Sequence, residues 1–156
     1  MPKKTKRSIQ WGKTKQKFDY AGIHLLAEFW FGRIIEDSKK IERILLGAVK
    51  QSRNTPLSIK IHKFSPQGLT GVVLLAESHI AIHTWPEINY IAIDIFTCGK
   101  KSSSYKAIEY LKKKFQPKRV NILRVKRGIM NPSPLAAGYS TASPVRSSIR
   151  LTLKEK

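Results

Sequence analysis

The chain has 156 residues, with 30 Lys and Arg against 10 Asp and Glu, a formal net charge of +20, and a single cysteine. The length suits one domain of ordinary size, and the 41% apolar share is enough for a core. One cysteine excludes an intramolecular disulfide framework and a cysteine-rich metal centre; with no apolar stretch long enough to span a membrane and no export signal in residues 1–17, a reducing, cytoplasmic setting is expected.

Charge on this scale first suggests nucleic acid, because cations that neutralise phosphates release counterions without needing sequence information. Its distribution is uneven. Residues 1–17 hold seven cations (Lys3, Lys4, Lys6, Arg7, Lys13, Lys15, Lys17) and no acid, and residues 126–156 hold six against Glu155. Pro132, Pro134 and Pro144 stand among Ser, Ala and Gly in the second of these stretches, a composition that cannot offset the entropy of ordering. Residues 1–17 and 129–156 are therefore expected to be flexible basic arms flanking a domain at 18–128, with possible weak nucleic-acid contact through the arms.

Within that domain the apolar run Gly22 to Trp30 fits a buried strand. Asp37 is an N-cap for a helix in which Ile41, Ile44, Leu45, Ala48 and Val49 recur at helical spacing, ending before Pro56. Leu57 to Phe64 alternates apolar and polar side chains as a half-buried strand does. Further strands are expected at Gly71–Ala76, Ile80–His83 and Tyr90–Phe96, with turn signals at Pro66–Gly68 and Pro86–Asn89 between them. A second helix, Ser102 to Phe115, is stopped by Pro117, and Val120–Val125 is the last strand. This order predicts an α+β two-layer sandwich, an antiparallel sheet with helices packed on one face.

Residues 62–99 concentrate reactive side chains among strand residues, where polar groups need partners or a purpose. His79 and His83 have the spacing of a helical zinc pair, but the surrounding residues favour a strand and no glutamate follows His79, so no metal site is expected. Ser78 lacks the flanking glycines of a hydrolase elbow. A dyad of Cys98 with one of the histidines has no local support.

The elements HKFSPQG, GVVLLAESHIAIHTWPE and DIFTCG, in register with HLLAEFW near the start and VKRG at the end, give a different answer. Over about residues 20–128 the chain resembles the pyruvoyl-dependent S-adenosylmethionine decarboxylases of the short prokaryotic type. The resemblance implies a proenzyme that cleaves itself between Glu77 and Ser78. Ser78 would be converted to the covalent pyruvoyl cofactor, which forms a Schiff base with the substrate amine and accepts the electrons released with carbon dioxide. It further implies His83 as the proton acceptor in processing, Thr70 as a hydroxyl serving the same step, and Cys98 as the proton donor in catalysis. The family usually has serine at the position of Thr70; the extra methyl stiffens χ1 and predicts slower processing. Phe64 matches a position that stacks on adenine, Trp85 bounds the same pocket, and Glu87 faces the ribose hydroxyls or the sulfonium. Glu77, Glu87 and Asp94 would make the local field less positive for a cationic substrate.

The function so implied is decarboxylation of S-adenosylmethionine for polyamine, and specifically spermidine, biosynthesis, by a homodimer of cleaved chains. One alternative is a pyruvoyl-dependent decarboxylase of arginine or another basic amino acid on the same scaffold; another is a nucleic-acid-binding protein that uses the basic arms. His24 and His62 read as packing residues, His79 receives no role, and Lys112–Lys114 read as a solvated helix face. Because Ser78 and His83 are an odd number of residues apart, an ideal strand puts them on opposite faces, so a bulge or bend near His79 is expected.

Overall fold

A computed structural model of the chain describes residues 20–98 and 103–129, so the expected arm 1–17, and all of the arm 129–156 but Ile129, lie outside the described residues. In chain order the elements are β1 (Tyr20–Trp30), α1 (Ser38–Gln51), β2 (Pro56–Lys63), β3 (Leu69–Leu75), β4 (Ser78–Trp85), β5 (Tyr90–Cys98), α2 (Ser104–Phe115) and β6 (Arg119–Ile129). A single 3-10 turn, Pro86–Ile88, joins β4 to β5. The six strands form one sheet in the order β2-β3-β4-β5-β1-β6, and every neighbouring pair is antiparallel. Three successive hairpins thus build β2 to β5, while each helix carries the chain across to a strand that its predecessor does not touch.

Asp37 caps α1 as its position implied, its carboxylate accepting the Lys40 N–H at 2.9 Å. The stripe Ile41, Ile44, Leu45, Ala48 and Val49 is buried, as are Ala107, Ile108, Leu111 and Phe115 of α2. Both helices lie on one face of the sheet, where they meet the inward side chains of β1 (Leu25, Ala27, Phe29) and of β5 (Ile91, Ile93, Ile95). Val73, Leu75, Ile80 and Ile82 complete that core. Burying each of these larger side chains stabilises the fold by about 1.5–3 kcal/mol.

No helix among the described residues covers the other face. Strand alternation sends the even-numbered residues of β1, β2, β3 and β5 and the odd-numbered residues of β4 and β6 toward it. There Leu74 is 50% exposed and Leu123 57% exposed. This open face carries the polar side chains that the motifs single out.

One expectation is corrected. The β3–β4 pairing runs without a shift from Leu75–Ser78 to Thr70–His83, so no bulge lies near His79. The parity mismatch falls on Ser78 itself, whose φ of 146° departs from strand geometry. The irregularity among the strand pairs lies instead in β2, between Pro56 and Ser58.

Candidate active site

The hairpin joining β3 to β4 closes on Ala76 and Glu77, directly before Ser78. Its tip is held by the segment that follows α1. Thr55 O accepts the Ala76 N–H at 3.0 Å, and the Glu77 carboxylate accepts the Thr55 N–H at 2.9 Å and its hydroxyl at 3.2 Å. Thr55 carries no sequence signal for this role, because only the fold brings the exit of α1 to the hairpin.

The carbonyl of the Glu77–Ser78 peptide is held from the other side by the end of β5. The Cys98 N–H donates to Glu77 O at 3.1 Å, and the Cys98 thiol at 3.2 Å. Two donors on one carbonyl oxygen polarise its carbon and stabilise the oxyanion that forms when a nucleophile adds. The Ser78 hydroxyl belongs to the next residue and meets His79 Nδ1 at 3.2 Å. A positive φ at a non-glycine residue costs of order 1–3 kcal/mol. The strain therefore sits at the one peptide where hydroxyl, imidazole, thiol and polarised carbonyl converge.

A second group forms at the opposite end of the same hairpin. Thr70 and His83 pair across β3 and β4, and their side chains share a hydrogen bond of 2.9 Å between Oγ1 and Nδ1. His62 is the partner of Thr70 on β2, which sets the three side chains in a row across the open face. Beside His83 the Trp85 ring lies 6.1 Å away, 39% exposed, and stacks on Tyr90 at 5.2 Å. Tyr90 in turn lies 4.3 Å from Trp30, and the Arg119 guanidinium sits 4.8 Å from the centre of that ring. Burial, with a hydrogen bond to Glu28 adding to it, pushes the Tyr90 phenol up to about 12.

Phe64 leaves the end of β2 with half of its surface exposed and its ring edge-to-face with His62 at 4.6 Å. The loop after it turns at Gly68, whose φ of +88° favours glycine and whose N–H donates to Glu36 at 3.0 Å. Gln67 reaches Glu87 at 3.3 Å, so Phe64, Glu87, Trp85 and the Thr70–His83 pair occupy one neighbourhood.

The expected site residues thus fall into two groups. Glu77, Ser78 and Cys98 come together at one end of β4, and Thr70, His83, Phe64, Trp85 and Glu87 gather at the other. Five residues of extended strand, at about 3.4 Å each, put Ser78 and His83 about 17 Å apart within one chain. Between the two groups His24 Nε2 stands 3.6 Å from Asp94, too far for a hydrogen bond. Burial pulls the His24 imidazole below its ordinary pKa, Asp94 opposes this, and Arg127 and His79 add to it. His79 and His83 lie about 13 Å apart along the strand, which separates them too widely to share a metal ion.

Comparison with known proteins gives a consistent set of relatives. The family model described as S-adenosylmethionine decarboxylase matches residues 23–128. A curated protein of Methanococcus maripaludis named S-adenosylmethionine decarboxylase proenzyme is 43% identical over 111 residues, covering 70% of this chain and 91% of its own length. Proteins of the same name from Moorella thermoacetica (42% over 118 residues, 74% of this chain and 94% of theirs) and a Sulfurihydrogenibium species (45% over 118 residues, 72% and 86%) are similarly close. Among solved structures, the adenosylmethionine decarboxylase of Aquifex aeolicus superposes with a TM-score of 0.68 at 39% identity, covering 74% of this chain and 98% of that one.

Proposed function

The chain belongs to the S-adenosylmethionine decarboxylase family, and from that membership we propose that it is made as a proenzyme, cuts itself between Glu77 and Ser78, and then decarboxylates S-adenosylmethionine for polyamine synthesis. The observation that carries the cleavage is the doubly hydrogen-bonded Glu77 carbonyl beside a strained Ser78. His79 orients the Ser78 hydroxyl, which adds to the Glu77 carbonyl carbon while the Cys98 N–H and thiol hold the oxygen. Expulsion of the Ser78 nitrogen converts amide to ester. Removal of the Ser78 α-proton then breaks the Cβ–O bond and frees Glu77 as a new C-terminus. Water converts the remaining dehydroalanine to a pyruvoyl group, with loss of ammonia.

The residues present fit that group: the hydroxyl precursor stands at a hairpin end, and the polarised carbonyl needed to release it is in place. A pyruvoyl group at residue 78 supplies the electron sink that loss of carbon dioxide from an α-amino acid requires. Cys98 Sγ, already within hydrogen-bond distance of the cleaved peptide, is the proton donor to the former α-carbon. It must stay a thiol to serve, which a cytoplasmic location ensures. Phe64 and Trp85 offer adenine its stacking surfaces, and Glu87 faces the ribose or sulfonium.

The separation of about 17 Å supports a reading in which these parts meet between two chains. His83 and Thr70 serve the Ser78 of a second copy, and a homodimer forms by packing the two helix-free sheet faces together. Val72, Leu74 and Leu123, each at least 38% exposed on that face, are the apolar surface such a dimer buries. The names of the matched relatives do not favour arginine or another basic amino acid as substrate.

Intact-mass measurement of the purified protein tests the cleavage. Fragments 1–77 and 78–156 are expected, the second carrying the mass of a pyruvoyl N-terminus, and Ser78→Ala is expected to remain one 17.8 kDa chain that releases no carbon dioxide from S-adenosylmethionine. A wild-type chain that stays whole through prolonged incubation contradicts the proposal.

A further inference from the structure

On the helix side of the sheet, away from Ser78 and His83, a cleft of about 710 Å³ opens beside α1 and α2. Arg33, Lys40, Arg43, Lys113 and Lys114 line it, and no acidic residue does. Ile44 and Tyr110 supply an apolar floor. The Tyr110 ring is seated against α1 because Gly47 lacks a side chain there; a methyl group at 47 would collide with the phenol. Lys114 Nζ lies 5.2 Å from the centre of the same ring.

Ordinary solvated lysines do not account for this arrangement. Lys40 and Arg43 stand three apart on α1, a spacing at which like charges repel. Lys40 also lies in the first turn of α1, where the helix dipole disfavours a cation, and that turn contains no acid. Among the described residues, the ion pairs are His24–Asp94 and Lys112–Glu109, so none of the five cations has a carboxylate within ion-pairing distance. The Asp37 carboxyl at the start of α1 is held below its ordinary range, first by the Lys40 N–H and further by the charges of Arg43 and Lys40, which marks the same positive field.

We infer that this cleft binds a phosphorylated small molecule with a ring-shaped or apolar body, of the nucleoside polyphosphate class. Its volume lies within the range of about 300–1,000 Å³ typical of small-molecule sites. Arginine matches phosphate with a planar fork and lysine with a point charge, and five cations suit more than one phosphoryl group. Tyr110 and Ile44 give the uncharged part of such a ligand a surface. The sheet separates this cleft from the site of the cationic substrate, so one chain holds sites of opposite preference on its two faces.

Calorimetric titration of the full-length processed protein tests the assignment, with GTP and UTP as probes beside inorganic triphosphate, the free nucleosides and a short single-stranded RNA. Nucleotides without adenine avoid the adenine surfaces of the substrate site. One nucleotide per chain is expected to bind, about tenfold or more tighter than triphosphate or nucleoside. The double variant Arg43→Glu/Lys113→Glu, and the milder Lys40→Gln/Lys114→Gln, are expected to weaken it about tenfold or more, and Lys39→Glu, on the same helix but outside the lining, by less than about twofold. Carbon dioxide release without nucleotide should be unchanged in all three. Triphosphate binding as tightly as the nucleotides, an equal loss in Lys39→Glu, or RNA binding lost with the double variant while neither nucleotide binds would each overturn the inference.

Discussion

The Thr70 hydroxyl accepts or donates a 2.9 Å hydrogen bond with His83 Nδ1, so the methyl group that distinguishes threonine from serine does not displace the oxygen from its partner. The slower processing expected from χ1 stiffness has no geometric basis at this contact. Thr70→Ser is accordingly expected to cleave at about the parental rate. Thr70→Val, which keeps the shape and removes the hydroxyl, leaves His83 without its orienting partner and should slow cleavage by about ten- to a hundredfold, read as a time course of intact mass. Single residues were legible to different depths. Ser78, Cys98, Thr70 and His83 stood out because three motifs fixed their spacing. Thr55 did not, being an exposed residue in a polar turn. His79 was set aside, although its imidazole is the group that meets the Ser78 hydroxyl within the chain.

Periodicity located the elements well because each helix and each inner strand has one strongly apolar face. α1 shows why: its five buried residues recur at helical spacing, its cap is Asp37, and Ser52 ends it with hydrogen bonds to Ala48 and Val49. Leu45, fully buried between that helix and the sheet, is expected to cost about 2–5 kcal/mol when replaced by Ala, measured by urea unfolding of the Ser78→Ala proenzyme, which excludes cleavage from the comparison. β4 was legible as a strand, but not as one that carries the expected site residues at its two opposite ends. The expected bulge assumed that Ser78 and His83 must face one pocket of one chain. An unbroken register places them at opposite ends of the hairpin instead, and Ser78 alone departs from strand geometry. Strand length, not strand parity, was the quantity that mattered.

For the whole molecule, the net charge of +20 separates into parts with different consequences. Much of it lies outside the described residues, and a further share lines one cleft on the helix side, while the open face holds Glu28, Asp94 and the hydrogen-bonded His79 and His83. The helix-free face makes the two-chain site directly testable. Cys98→Ala and His83→Ala are each expected to be inactive as pure homodimers, but co-expressed they form a mixed dimer in which one site draws Cys98 from one chain and His83 from the other. Activity should return in that mixture to about half that of the parental dimer per mixed dimer; no recovery would place each site within a single chain. The proposed assembly would also set the kinetic order of maturation. A site confined to one chain ripens at a rate independent of concentration, whereas a site shared between two ripens only as fast as newly made chains encounter one another. Under the proposed two-chain assembly the bare sheet face would act as a threshold: sparse proenzyme would wait, and decarboxylase would accumulate more steeply than synthesis once copies became abundant.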